Sequence, residues 1–166
     1  MSIKISDAEL QKAAQEGVDS FLNVFIEKYL NEVGENLGPD NMDKLNGYQH
    51  SLLAFHFFCT ELREGGFVQL IQNGYGGYIF DNPFAKSLRM FGAEELSKIV
   101  YKAKKIYDAN RKELEKETTE EEFMAMYERF EAFDELEEMF FEIEEQEIEK
   151  IGHYVDENIK LFAEVI

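Results

Sequence analysis

His56 and Cys59 stand three residues apart, and a thiol beside an imidazole is the pairing from which a cysteine nucleophile is made. On a helix that spacing makes two side chains neighbours. Their surroundings argue against the chemistry, because Phe55, Phe57 and Phe58 flank them and a free cysteine in such company behaves as a small buried hydrophobe. His50 and His153 have no companions at metal-ligand spacing, and the chain holds neither His-Glu-x-x-His nor Glu-x-x-His. The acidic stretches lack the alternation of a calcium loop. Gly74, Gly76 and Gly77 lack the Gly-Lys-Ser/Thr of a phosphate loop, and turn formation accounts for them. The residues predict a non-enzymatic chain with no catalytic centre, no cofactor and no metal.

Carboxylates are the other reactive groups, and they are concentrated. Residues 113–149 hold seventeen acidic side chains against Lys116 and Arg129, which is −15 of a formal −18. Advancing about 100° per residue puts Glu121, Glu128, Glu131, Glu135, Glu138, Glu142, Glu145 and Glu149 in one arc. Phe123, Met126, Tyr127, Phe130, Phe133, Phe140, Phe141, Ile148 and Ile151 fall roughly opposite. On one unbroken helix this row would run roughly 42 Å at 1.5 Å per residue. Duplex DNA is also a line of fixed anions, one per about 3.4 Å of axis on each strand. A rigid row of carboxylates therefore presents phosphate-like charge to a surface built to neutralise phosphates, and the eight glutamates are the candidate partner-binding residues. Like charges four apart cost about 0.2–0.5 kcal/mol per pair, and burial of the aromatic face must offset that. Glu137 and Glu144 fall inside the apolar arc. They require either a bend between residues 134 and 144 or a Lys or Arg from elsewhere. Met124 and Met139 fall on the acidic side, as apolar anchors within a binding surface.

The elements that must position this row are helical. A first helix starts at Ser6 or Asp7, and Gly17 kinks or divides it before an apolar face from Val18 to Tyr29. Residues 31–41, with Gly34, Gly38 and Pro39, read as a loop. A second helix over 42–64 is apolar on nearly every side, ends at Gly65-Gly66, and is followed by a short helical return over 67–73. A tight turn is expected over 74–78, then a short helix with Pro83 at its first position. An amphipathic helix over 93–112 carries a basic outer face of Lys98, Lys102, Lys104, Lys105, Arg111 and Lys112. Its surplus is too small to neutralise the acidic stretch. Thr119 and Glu122 form a capping box that opens the long acidic helix. A break is expected near Gly152, followed by amphipathic turns over 154–166.

Composition bounds the class: all-α, a single compact multi-helix domain over 1–166 with a long acidic C-terminal helix. Fifteen phenylalanines and 45% apolar residues suit a packed core. No apolar run reaches the about 20 residues of a membrane span, and the first six residues lack the core of a signal peptide. One cysteine fits a reducing cytoplasm. The net charge predicts no direct binding to nucleic acid or membranes and attraction to basic partners.

Leu45 through Gly47, the run Glu61-Leu62-Arg63-Glu64-Gly65-Gly66-Phe67-Val68-Gln69-Leu70-Ile71-Gln72-Asn73, and Gly92-Ala93 resemble a bacterial family catalogued as a domain of unknown function that includes the DNA-mimic proteins. The resemblance covers 45–161, and its most specific part is Gly65-Gly66-Phe67 with Gln69. Glu64 and Leu70 depart from the pattern's Asn and aromatic residue. The resemblance implies an all-helical cytosolic protein whose negative surface occupies the DNA-binding site of another protein. The motif lies away from the acidic row, which assigns it to folding rather than to partner choice. The function expected is mimicry of duplex DNA toward a basic DNA-binding protein or transcription regulator, with homodimerisation left open. The alternative is a helical interaction or immunity-type module whose acidic face serves solubility or a partner that does not bind DNA.

Overall fold

The computed structural model describes residues 3–34 and 37–166; residues 35 and 36 of the expected loop lie outside the described residues, as do Met1 and Ser2. Ser6 caps the first helix, α1 (Asp7–Glu16), by accepting the Glu9 N–H at 3.1 Å. Gly17, at φ 125°, divides α1 from α2 (Val18–Val33), a conformation that costs glycine little. The central helix is α3 (Gly47–Gln72), begun by a reciprocal Asn46–Gln49 capping box. Leu52, Leu53, Phe55, Phe58, Cys59 and Leu62 are all buried on it, so the expectation of cover on nearly every side holds.

The Gly-Gly pair breaks the helix where expected, so that α3 consists of two helical segments joined at the pair. Gly66 takes φ 77° and kinks α3, and the helix resumes from Phe67. The tight turn expected over 74–78 is confined to its start, since α4 (Gly76–Phe80) already occupies the remainder. Tyr107 packs so closely there that a Cβ on Gly76 would stand 2.8 Å from its ring. Pro83 caps α5 (Phe84–Met90) from just outside it rather than from its first position. The amphipathic helix is α6 (Glu94–Glu115), with Leu96, Ile99, Val100, Ala103 and Tyr107 buried and the lysines on the outer face exposed or half-buried.

The acidic stretch is where expectation and structure differ most. Thr119 and Glu122 make the capping box that opens α7 (Glu120–Arg129), but the helix stops there. Phe130 leaves the helical region at φ −111°, ψ 40°, a 3-10 turn spans Glu131–Phe133, and α8 (Asp134–Glu157) follows. No break occurs at Gly152. It instead packs against the start of α2, and a Cβ there would lie 2.2 Å from Val18 Cγ2. The end of the chain is not a run of amphipathic turns. After α9 (Ile159–Phe162), the strand β2 (Glu164–Val165) pairs in parallel with β1 (Lys4–Ile5) and joins the two ends of the chain.

Aromatic contacts hold α8 and the turn before it to the centre. Phe67 stacks on Phe133 at 5.1 Å, Phe58 meets Phe140 edge-on at 5.6 Å, and Phe91 stacks on Tyr154 at 4.7 Å. Such pairs add about 0.5–1.5 kcal/mol each beyond the area they bury. The outcome is an all-α protein with one continuous cluster of buried side chains and a long acidic C-terminal helix. No helix among the described residues is long and apolar enough to cross a membrane.

Candidate partner-binding site

The eight glutamates of the row are all exposed. Glu121 and Glu128 project from α7, Glu131 from the 3-10 turn, and Glu135, Glu138, Glu142, Glu145 and Glu149 from α8. The single 42 Å row is therefore divided at Phe130. Its α8 portion is uninterrupted, and Glu135 to Glu149 span roughly 21 Å at 1.5 Å per residue. Because α8 continues past Gly152, exposed Asp156 prolongs the row. It lies seven residues beyond Glu149, a spacing that was readable once a break at Gly152 was not imposed.

Among the described residues, none of these nine carboxylates takes part in an ion pair or side-chain hydrogen bond. The basic face of α6 does not answer them. Lys98 pairs with Glu95 and Lys104 with Asp108, both within α6, while Arg111 is held by Asp81 and Glu115. Arg129, between the two parts of the row, is taken by Glu113 at 2.9 Å.

The acids on the inward side of α8 behave oppositely, and each has its own partner. Glu144 pairs with Arg63 of α3, which is one of the two solutions the sequence required. Glu137 takes a solution it did not foresee. Its carboxylate accepts the Phe67 N–H at 3.3 Å, at the first turn after the kink, where helix N–H groups lack internal partners. Burial drives the Glu137 carboxyl above its ordinary range, with the Phe67 N–H acting against this and Asp134 adding to it. Glu147, which the angular reading passed over, is the most deeply buried at 1% exposed. It accepts the Leu96 N–H at 3.2 Å, in the first turn of α6. Its other oxygen stands 3.4 Å from Lys150 Nζ without hydrogen-bond geometry. A signal for it existed, since it follows Phe140 by seven residues and precedes Ile151 by four. Two carboxylates of α8 thus cap two other helices, and a third binds Arg63. These contacts fix the rotation of α8 about its axis, and with it the direction of the outer row.

Two apolar placements are corrected. Phe141, assigned to the buried arc, is 53% exposed, while Met139, assigned to the acidic side, is half-buried against the core. Met124 is 61% exposed, on the side where it was expected.

The family motif is also nearer the acidic elements than expected. Tyr127 of α7 donates its hydroxyl to the Gly65 carbonyl at 2.8 Å, so α7 and α8 each attach to the Gly65-Gly66-Phe67 segment.

His56 and Cys59 line a cavity of about 490 Å³ with Asp19, Asn23, Thr60 and Arg63. Burial pushes the Cys59 thiol well above its ordinary value, the reverse of nucleophile activation. His56 is shifted down, by burial first and then by Arg63. The imidazole tilts against Phe57 at 5.5 Å. Among the described residues no group of three or more His, Cys, Asp or Glu is placed to hold a metal ion.

Fold and site together define an all-helical protein whose outward edge is a run of unpaired carboxylates, oriented by inward carboxylates that are all engaged. A profile of the family described as DMP19-like protein matches residues 43–158, and the chain belongs to that family. The match runs from the turn before α3 to just past the end of α8 and includes the whole row. A relative in Neisseria meningitidis serogroup B (strain ATCC BAA-335 / MC58), the DNA mimic protein DMP19, is 38% identical over 101 residues. The aligned part is 61% of this chain and 61% of that relative's length.

Proposed function

We propose that the outer edge of α7 and α8 substitutes for duplex DNA. In the cytoplasm it occupies the DNA-binding surface of a basic DNA-binding protein, such as a transcription regulator, and keeps nucleic acid off it. The observation that carries this reading is the division of labour on α8: Glu137, Glu144 and Glu147 are consumed by the fold, whereas Glu135, Glu138, Glu142, Glu145 and Glu149 are exposed and unpaired. Successive members of the row rise roughly 4.5–6 Å along the axis, coarser than but comparable with the about 3.4 Å of successive phosphates. Membership of the DMP19-like family and the likeness to a DNA mimic protein support the same reading.

The test uses the full chain as bait in native cytosolic extract, beside a variant carrying Glu128→Gln, Glu135→Gln and Glu142→Gln. A DNA-binding protein captured at low salt, released as salt rises, displaced by duplex DNA and not held by the variant is the expected result. Capture only of proteins that duplex DNA does not displace would refute mimicry.

A further inference from the structure

Of the fifteen phenylalanines, all but Phe141 are buried or packed against the core. Phe141 is 53% exposed, and its ring touches buried Phe140 edge-on at 5.4 Å, which anchors one edge and leaves the remainder open. By helical spacing its neighbours on the outer side are Glu138, three residues before, and Glu145, four after. Both are exposed and unpaired. The open part of this apolar ring is set among charges.

The molecule shows twice what such a setting holds. The Arg129 guanidinium lies over the Phe130 ring, 5.2 Å from its centre, while Glu113 grips it at 2.9 Å. The Arg111 guanidinium lies 5.0 Å over Tyr107 and is held by Glu115 at 3.0 Å. In each case an aromatic face and a carboxylate bind one guanidinium together. Phe141 with Glu138 and Glu145 offers the same two elements, but among the described residues no cation lies over its ring. Arg63, which reaches α8 from α3, is engaged by Glu144.

We infer that Phe141, with Glu138 and Glu145, is a receptor for an arginine side chain of the basic partner, which stacks on the ring while the carboxylates take its N–H groups. This rests on the reading of the acidic edge as a docking face for a basic protein and adds residue selectivity to it. The row attracts any cation, whereas the ring favours the planar, weakly hydrated guanidinium over the compact ammonium of lysine. Phosphates cannot make that distinction by stacking, so this position is where the edge departs from DNA.

The experiment compares binding of a deca-arginine and a deca-lysine peptide to the full chain at two salt concentrations. The variants are Phe141→Leu, Phe141→Tyr and the combined Glu138→Gln, Glu142→Gln, Glu145→Gln. The arginine peptide should bind more tightly, and Phe141→Leu should cut that advantage by roughly two- to fivefold, the size of one exposed cation–π contact, without changing lysine-peptide binding. Phe141→Tyr should retain it, and the glutamine variant should weaken both peptides. If Phe141→Leu keeps the arginine advantage while the glutamine variant loses affinity, the arginine receptor is refuted and the docking face stands. If neither peptide binds, or the glutamine variant binds as the parent does, the docking face itself fails.

Discussion

Glu137 sets its carboxylate 3.3 Å from the Phe67 N–H, and reaches it across Gly66, the residue that kinks α3. A Cβ at Gly66 would lie 2.5 Å from Glu137 Oε2, so the cap and the glycine depend on each other. This one contact joins the centre of the family motif to the inner face of the acidic helix.

Removing the cap separates its two components. Glu137→Ala leaves the Phe67 N–H without its acceptor and should cost about 1–2 kcal/mol. Glu137→Gln keeps an acceptor and removes the charge, and should be nearly neutral at pH 7. The sign with pH follows from the upward shift of this carboxyl from 4.5. The folded state holds the proton more tightly than the unfolded one, so this contribution is fully present below 4.5 and lost as pH rises through the raised folded value. Relative to Glu137→Gln, the parent should therefore lose stability on going from acid to neutral pH. Urea denaturation of both at a series of pH values measures it, and a parent that gains relative to the variant as pH rises would contradict the assignment.

Gly66→Ala should be the more damaging change, because a side chain meets both a positive φ and the carboxylate. The backbone conformation alone, φ 77° with ψ −166°, costs a residue with a side chain about 1–3 kcal/mol, and displacement of Glu137 adds the loss of its cap. In a double-mutant cycle, Glu137→Ala should cost much less in the Gly66→Ala background than in the parent, since the contact is already gone. Strictly additive losses would mean that the two residues act independently.

At the crossing of α2 and α8, Gly152→Ala should destabilise by about 1–3 kcal/mol through overpacking against Val18, 2.2 Å away from the added carbon. Val18→Ala in the same chain should recover much of the loss. The pair is best followed by thermal unfolding, and failure of Val18→Ala to compensate would place the strain elsewhere.

What could be read from the sequence follows the physics of each signal. Ser6, Gly17, Thr119 and Glu122 act locally, and the structure uses each as read, because a cap or a positive φ is decided within a few residues. The exposed row was legible for the same reason: its period is a property of one helix. The interruption at Phe130 was not, because Met126, Phe130 and Phe133 keep helical phase across it and neither glycine nor proline marks it. Gly152 misled in the other direction, since a glycine that serves a helix crossing looks like one that ends a helix. Glu137 and Glu147 required knowledge of which helix N-termini lie against α8, a tertiary fact. Arg63 was foreseen for Glu144 only as a type of partner.

The row itself should reduce stability, and this is measurable without any partner. On α8, Glu138 and Glu142, and Glu145 and Glu149, are like charges four residues apart with no cation between them. Each such pair costs about 0.2–0.5 kcal/mol. Screening acts on it, because the Debye length falls from about 30 Å at 0.01 M to about 8 Å at 0.15 M ionic strength. Raising sodium chloride across that range should therefore raise the melting temperature of the parent. The triple change Glu135→Gln, Glu142→Gln and Glu149→Gln should be more stable than the parent at low salt by about 0.5–1.5 kcal/mol and respond less to salt. A less stable variant would mean that these carboxylates serve the fold as Glu137 and Glu147 do. A more stable one means that the protein retains a charge pattern its folding opposes, as expected of carboxylates kept for binding.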